Sequence, residues 1–213
     1  MSAPLRVGVI GLGARCVIAE NCHKATIPAE LVGGCDPNPA MRQRATEVLG
    51  DYPWFETLDE LLELGIDCAI VTSPDDTHED ITCALLEAGV AVYLEKPIAI
   101  TIEGSDRVLE TAYRTKTPLY VGHNMRHMAV VRILRQVVQD GLIGEVRAIW
   151  CRHFVGNGGD YYFKDWHADR SRTTGLLLQK AAHDIDVMNW LSDSVPERVV
   201  GMGDLMLYGK LSD

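Results

Sequence analysis

The first residues that could do chemistry form a glycine loop near the N-terminus. Gly11-Leu12-Gly13 follows an apolar segment, residues 6–10, and precedes a helical pattern. In G-x-G-x-x-G loops the first two glycines permit a tight turn and the close approach of a pyrophosphate, which the next helix N-terminus holds. Cys16 replaces the third glycine, where packing needs only a small residue. We expect a dinucleotide phosphate here, and a glycine turn without a nucleotide is the alternative.

An acidic residue follows at the distance that a dinucleotide site requires. Asp36 lies 25 positions after Gly11, where a second strand is predicted to end. A carboxylate there accepts hydrogen bonds from both hydroxyls of the adenosine ribose and repels a 2'-phosphate. Asp36 therefore favours NAD over NADP. The alternative is that Asp36 caps a helix that starts near Pro37.

Two further polar clusters come at the predicted ends of strands. One begins at Thr72-Ser73-Pro74 and reaches His78, and the other is Glu95-Lys96-Pro97. A lysine beside an oxidised nicotinamide has its charged form disfavoured, so its pKa falls and its amine can take a proton from an alcohol. In the reverse direction it donates to a carbonyl. A surface lysine paired with Glu95 is the alternative.

The last chemical group lies in an apolar helical segment, residues 176–191. Gln179, Lys180 and His183 are three or four positions apart, so they can share one face of the helix. Polar side chains on a buried helix need partners or a function, and histidine titrates close to neutrality. His183 is therefore a candidate for proton exchange, with a histidine satisfied inside the core as the alternative.

The elements that position these groups alternate in type along the first part of the chain. Strand patterns are predicted at 6–10, 31–36, 68–72, 90–95 and 119–122, and helical patterns at 14–26, 39–49, 58–64, 78–88 and 102–113. Apolar strands that alternate with amphipathic helices indicate an α/β fold with a parallel sheet covered on both faces. We predict a doubly wound Rossmann domain over residues 1–122.

The alternation of strand and helix patterns stops after Gly122, and we predict a second domain over residues 123–213. A helix is expected at 128–140, a strand at 145–154, a long loop at 156–172, a helix at 176–191 and a strand at 198–208. Two strands make an incomplete α+β domain for substrate binding and oligomerisation. The loop could form a wall for a carbohydrate ring or simply pack, through Tyr161, Tyr162, Trp166, His167 and Asp169.

Composition narrows the possible partners and the compartment. The net charge is -10 and no basic run occurs, which argues against nucleic acid or an anionic membrane as the main partner. No apolar stretch approaches the roughly 18 residues of a membrane span. The six cysteines include no C-x-x-C pair and indicate buried thiols in a reduced, cytoplasmic setting. His123 and His127 have metal-ligand spacing without an evident third ligand, so we expect no metal.

These motifs together resemble the Gfo/Idh/MocA family, the glucose-fructose oxidoreductase and inositol dehydrogenase group. The most specific part of the resemblance is Glu95-Lys96-Pro97, and Asn124, Arg126, the segment 141–145 and the segment 175–190 are also similar. The resemblance implies an NAD(P)-dependent dehydrogenase, commonly a homo-oligomer, that moves hydride between nicotinamide and a secondary alcohol of a sugar, inositol or related polyol. In it Pro97 follows a cis peptide bond.

The resemblance also implies roles for individual residues. Lys96 and His183 would be catalytic. The cofactor contacts would be Gly11, Leu12, Gly13, Ala14, Arg15, Asp36, Thr72, Ser73, Pro74, His78, Glu95, Lys96 and Asn124. The substrate contacts would be Lys96, Arg126, Trp166, Gln179, Lys180 and His183.

One position departs from the family pattern. The family commonly has an aspartate four residues before the histidine, and this chain has Gln179, which cannot orient a cationic imidazole as a carboxylate does. Members of the family also continue with strands that complete an antiparallel sheet. Two other functions therefore stay open: a non-catalytic dinucleotide-binding module or truncated remnant, and glycoside cleavage through transient oxidation by retained NAD.

Overall fold

A computed structural model describes residues 3–154 and 162–204 of the chain. The chain divides into two compact units, the first ending at Gly122 and the second beginning at His123. In the first unit the described residues form a six-stranded sheet with helices, and in the second they form helices and irregular segments.

The sheet of the first unit is entirely parallel. Its strands are β1 (Leu5–Ile10), β2 (Ala29–Cys35), β3 (Trp54–Phe55), β4 (Cys68–Val71), β5 (Ala91–Leu94) and β6 (Leu119–Val121), in the order β3-β2-β1-β4-β5-β6. The direction of winding reverses between β1 and β4, where doubly wound sheets bind ligands at the carboxyl ends of the strands. The predicted Rossmann fold is confirmed. The short strand β3 was not predicted, because two residues carry no periodicity.

Helices connect these strands near the predicted positions. They are a 3₁₀ helix (Ala14–Lys24), α1 (Pro39–Leu49), α2 (Leu58–Glu63), a short 3₁₀ turn (Asp75–Thr77), α3 (His78–Glu87) and α4 (Ile102–Thr115). Asn38 caps α1, since its side chain accepts a hydrogen bond from the Ala40 amide. The alternative role of Asp36 as this helix cap is therefore wrong.

The core lies on both faces of the sheet. Successive residues of β1 point to opposite faces, so Ile10 joins one buried cluster and Val9 the other. Cys16 is fully buried beside Val9 and Leu12, where it packs the 3₁₀ helix against the sheet. Burial raises the pKa of the Cys16 thiol. The position of the missing third glycine is thus filled by a small side chain of the core.

The second unit departs from its predicted elements. It contains a 3₁₀ turn (Asn124–His127), α5 (Ala129–Gln139), α6 (Asp165–Ala168), α7 (Arg170–Thr173), a π-helical turn (Leu177–Ala181) and α8 (Ala182–Ser192). The predicted strand at 145–154 is wrong: within the described part of the chain these residues belong to no strand. Residues 198–204 likewise form no strand, and 205–208 lie outside the described residues.

Two other predictions for this unit need correction. The segment expected as one loop, 156–172, contains α6 and most of α7, which ends one residue beyond it, and its residues 156–161 lie outside the described part. The helix predicted from 176 to 191 begins with the wider π-helical turn before it becomes α8.

The capping box of α2 gives a test of the fold. The Thr57 hydroxyl accepts a hydrogen bond from the Glu60 amide, while the Glu60 carboxylate accepts one from the Thr57 amide. Thr57→Ala removes the cap and should lower the free energy of unfolding by about 1 kcal/mol, measured by urea denaturation. Thr57→Ser keeps the hydroxyl and should be close to the parent chain. Equal losses in the two variants would contradict this assignment.

Candidate functional site

The glycine loop lies directly against the backbone that follows β4. Gly11 has a φ of +83°, and a Cβ there would come within 2.4 Å of the Ser73 backbone. The Thr72 hydroxyl donates to the Gly11 carbonyl at 2.6 Å, which fixes the loop in this position. Glycine is therefore required at position 11 both for its conformation and for the approach of two chain segments.

Gly13, unlike Gly11, has open space around it. A Cβ at this residue would meet no described atom within 4 Å, so the loop is open on this side. Gly13 precedes the 11-residue 3₁₀ helix, whose first turn has no acidic residue and no side-chain cap among the described residues. The N-terminal amides of this helix and the open space before them suit the anionic pyrophosphate of a dinucleotide.

Asp36 is held at the end of β2 by two backbone amides. Its Oδ2 accepts from the Leu12 amide and its Oδ1 from the Asn38 amide, each at 2.8 Å. A carboxylate has about four acceptor positions, so two hydrogen bonds leave capacity for ribose hydroxyls. Arg42 donates to the Asp36 carbonyl at 2.6 Å and lies 3.8 Å from the Glu56 carboxylate.

An ion pair links the glycine loop to the end of β5. Arg15 Nη2 lies 2.6 Å from Glu95 Oε1, and the Glu95 side chain is 9% exposed while that of Arg15 is 49% exposed. Burial raises the pKa of the nearby Tyr93 phenol, and the Glu95 carboxylate raises it further. Lys96 follows at once, half-buried, and its bond to Pro97 is cis, as the resemblance implied.

His78, predicted as a cofactor contact, is buried. Its side chain is 1% exposed, with Nδ1 at 2.6 Å from the Pro97 carbonyl oxygen and Nε2 at 3.0 Å from the Ser73 carbonyl oxygen. The ring thus lies beneath the loops that follow β4 and β5 rather than on their surface. We interpret His78 as a support for both loops, while Thr72, Ser73 and Pro74 are partly exposed above it.

In the second unit, His183 belongs to a charged cluster built from α8 and the 3₁₀ turn. Asp186 lies one turn after His183, and its carboxylate accepts from Arg126 Nε at 2.7 Å and Nη2 at 2.6 Å. His123 Nδ1 is 3.6 Å from Asp186 Oδ2, and the His123 and His183 ring centroids are 6.4 Å apart. Arg126 also stacks over the Trp190 ring at 5.6 Å. Its guanidinium, predicted to contact substrate, is thus engaged within the protein.

The other predicted substrate residues lie in the same unit with partners of their own. The Lys180 ammonium is 4.3 Å from the centroid of the Tyr162 ring, and Gln179 is 3% exposed. The Trp166 and His167 rings stack at 3.7 Å. Asn124, predicted as a cofactor contact, is exposed. Tyr161 lies outside the described residues.

Three contacts of these sites were missed by sequence reasoning. They are Arg15 with Glu95, His123 with Asp186, and the His153 ring with the Asp184 carboxylate at 2.9 Å. Each of these three pairs joins residues that are far apart in sequence, and no local pattern reveals such a contact.

Within residues 3–154 and 162–204, no group of three or more His, Cys, Asp or Glu side chains could hold a metal ion. No helix in those ranges is long and apolar enough to cross a membrane.

Comparison with known families identifies the first unit. Residues 5–123 match the model of the Gfo/Idh/MocA oxidoreductase family, described as an NAD-binding Rossmann fold. The chain belongs to this family. Residues 131–210 match the model of the Gfo/Idh/MocA C-terminal domain. This Gfo/Idh/MocA protein therefore has an NAD-binding Rossmann domain followed by residues of the family's C-terminal domain.

Curated relatives cover most of the chain. It is 30% identical over 191 residues to a Bacillus subtilis protein named "Putative oxidoreductase YteT", with 86% of this chain and 45% of the relative aligned. It is also 30% identical over 209 residues to inositol 2-dehydrogenase from Pseudomonas fluorescens, with 92% and 57% aligned. The chain spans about half the length of the curated relatives that it matches.

Solved structures agree with the fold. Scyllo-inositol dehydrogenase from Lactobacillus casei, with bound NAD(H) and scyllo-inositol, has a TM-score of 0.75 and 26% identity over 90% of this chain and 57% of its own. The WlbA dehydrogenase from Bordetella pertussis, in complex with NADH and UDP-GlcNAcA, has a TM-score of 0.77 and 23% identity, over 90% of this chain and 56% of its own. The second likeness supports the fold alone.

The two glycines of the loop should respond differently to the same substitution. Gly11→Ala places a Cβ against the Ser73 backbone at a positive φ and should destabilise the protein by at least about 2 kcal/mol in urea denaturation. Gly13→Ala should leave the thermal midpoint nearly unchanged but weaken NADH binding at least about tenfold, because the methyl group enters the space for the pyrophosphate. Unchanged NADH affinity in the folded Gly13→Ala variant would contradict the assigned phosphate site.

Proposed function

We propose that this protein is an NAD-dependent dehydrogenase that acts on a secondary alcohol of a sugar, inositol or related polyol. The observation that carries the proposal is the position of Lys96, half-buried at the carboxyl end of β5 in the sheet whose β1 ends in the open glycine loop. Relatives named inositol 2-dehydrogenase, at 30% identity, support the substrate class.

Lys96 is proposed to handle the proton of the reacting hydroxyl. A bound oxidised nicotinamide would supply the acceptor for the hydride of the alcohol carbon. The neutral amine of Lys96 then takes the hydroxyl proton as the carbonyl forms, and in reduction its ammonium returns a proton to the carbonyl oxygen. The buried Glu95 carboxylate is already paired with Arg15, which anchors the residue that precedes Lys96.

His183 is proposed as the second proton-exchanging residue. It is partly buried on α8, its ring centroid lies 6.4 Å from that of His123, and histidine is a residue type that can exchange protons near neutral pH. Gln179, Lys180 and Trp166 remain proposed substrate contacts. Because Asp186 and Trp190 hold the Arg126 guanidinium, we propose that Arg126 positions α8 instead of binding substrate directly.

The surroundings of Asp36 support NAD as the preferred cofactor. Its carboxylate is fixed at the end of β2, where a 2'-phosphate would be repelled. Arg42, the arginine near it that could accept such a phosphate, is engaged by the Asp36 carbonyl and lies near Glu56. A homo-oligomer in the cytoplasm is also part of the proposal, by analogy with the family.

Removing the charge of Asp36 should reduce the difference between the affinities of the protein for NADH and for NADPH. We expect the parent chain to bind NADH at least about tenfold more tightly than NADPH, and Asp36→Ala to reduce that ratio several-fold or more. Energy transfer from the four tryptophans to the bound nicotinamide gives both affinities. Asp51→Ala, an exposed position with the same change in charge, is the matched control. A chain that binds neither cofactor saturably refutes the proposed site.

Substitution of Lys96 tests the chemistry. Lys96→Ala should lower turnover of the best substrate in a polyol panel, followed at 340 nm, by about 10² or more, because general acid–base catalysis contributes about 10²–10⁴. NADH binding should persist, since the glycine loop is intact. Lys24→Ala, an exposed lysine, should leave turnover unchanged.

The outcomes of this experiment separate the candidate functions. Equal turnover by Lys96→Ala and the parent chain would refute the role of Lys96. Saturable NADH binding without turnover on any member of the panel would favour a non-catalytic dinucleotide-binding module.

A further inference from the structure

Arg44 on α1 contacts the glycine loop through one guanidinium nitrogen. Its Nη1 donates to the Gly13 carbonyl at 2.9 Å and lies 3.4 Å from the Leu12 carbonyl oxygen and 3.5 Å from Cys16 Sγ. Arg44 is half-buried, so this contact is part of the packing between α1 and the loop. The thiol at the position of the third glycine and the two carbonyls before it therefore surround a single positive charge.

These contacts determine the direction in which two amides of the loop point. In a planar trans peptide group the C=O and the N–H point in opposite directions. The Gly13 carbonyl shares a peptide group with the Ala14 amide, and the Leu12 carbonyl shares one with the Gly13 amide. Because Arg44 holds both carbonyls, the amides of Gly13 and Ala14 point away from its guanidinium. One side chain thus orients two donors of the proposed phosphate site.

The charge of Arg44 differs in its surroundings from that of the other arginines near the loop. Arg15 is paired with Glu95, and Arg42 lies 3.8 Å from the Glu56 carboxylate. Within the described residues, the polar contacts of Arg44 are instead with the two carbonyl oxygens and the thiol. A cation beside the first turn of a helix is unfavourable, since that end of the helix dipole is positive, and this first turn has no acidic residue.

Two acidic side chains lie in the neighbourhood of the loop. Asp36 accepts from the Leu12 and Asn38 amides at the end of β2, where the ribose hydroxyls are expected, and Glu20 is exposed on the 3₁₀ helix. In the part of the chain that the structure describes, neither carboxylate forms an ion pair with Arg44. A bound anion at the loop would therefore meet a guanidinium that no carboxylate of these residues neutralises directly.

We propose that Arg44 is a positioning residue for the cofactor: it orients the amides of Gly13 and Ala14 toward the pyrophosphate of NAD, and its charge strengthens their hold on it. The glycine motif supplies the turn and the amides, and Arg44 supplies the positive charge. This inference rests on the phosphate site that belongs to the proposed function. It does not depend on the chemistry proposed for Lys96, because it concerns binding alone.

Two substitutions of Arg44 separate its charge from its shape. Arg44→Gln removes the charge and should weaken the binding of NADH and of ADP about fivefold or more, because a cation several ångströms from a phosphate contributes about that much. Adenosine, which has no phosphate, should bind as it does to the parent chain. Arg44→Lys keeps the charge and should have an intermediate affinity for ADP. Arg132→Gln, an exposed arginine on α5 with the same change in charge, is the matched control.

Energy transfer from the tryptophans to NADH gives the affinity for NADH, and displacement of NADH gives the affinities for ADP and adenosine. The salt dependence provides a readout that a defect in the shape of the loop would not change. The Debye length falls from about 10 Å at 0.1 M ionic strength to about 3 Å at 1 M. The ratio of the ADP affinities of the parent chain and Arg44→Gln should therefore be smaller in 1 M NaCl.

Several outcomes would overturn the inference. Equal affinity of Arg44→Gln and the parent chain for ADP would do so, as would equal losses for ADP and adenosine, which would indicate damage to the loop alone. Equal losses from the Gln and Lys variants would contradict the role of the charge. A larger loss for 2'-AMP than for ADP would assign the charge to the ribose instead.

The same measurements distinguish this inference from the proposed function. If ADP binding changes as expected and no polyol is oxidised, the role of Arg44 stands and the proposed dehydrogenase activity fails. If polyols are oxidised and Arg44→Gln binds NADH and ADP as the parent chain does, the activity stands and the role of Arg44 fails. A parent chain that binds neither NADH nor ADP refutes the phosphate site and this inference together.

Discussion

The close approach of two backbones at Gly11 is the constraint on which the first unit depends. Because position 11 has no side chain, the loop after β1 lies against Thr72 and Ser73 at the end of β4. That contact lies where the winding of the sheet reverses. The loop then presents the Leu12 amide to Asp36 and carries Arg15 to Glu95. The ends of β1, β2, β4 and β5 are thereby joined through one short segment.

Much of this unit could be predicted from sequence because its signals are local. The β-branched strands, the glycine loop and the acidic residue 25 positions later each depend on neighbouring residues. Helix α1 was predicted at its observed bounds. The residue that caps it could not be predicted from local sequence. Asp36 and Asn38 are both good capping residues, and only the backbone geometry makes Asn38 the cap while Asp36 turns to the Leu12 amide.

The second unit was harder to predict because its elements depend on partners distant in sequence. Alternation of apolar and polar residues over 145–154 predicts a strand, but a strand also needs a neighbour to which it can hydrogen-bond, and the local pattern does not supply one. In the structure Trp150 and Phe154 are exposed. The role of His183 as a candidate followed from its polarity in an apolar segment. Its neighbour His123 did not, since 60 positions separate them and their proximity arises only from folding.

The buried ring of His78 joins two loops whose contacting residues, Ser73 and Pro97, are 24 positions apart in the sequence. One ring nitrogen is next to the Pro97 carbonyl and the other next to the Ser73 carbonyl. We therefore expect the segment against which Gly11 packs and the segment that carries Lys96 to open together as one local unfolding unit. Amide hydrogens around Ser73 and around Lys96 would open with a common free energy. Any loosening of the backbone against which Gly11 packs would then reach Lys96 through this imidazole without a change in the strands between them.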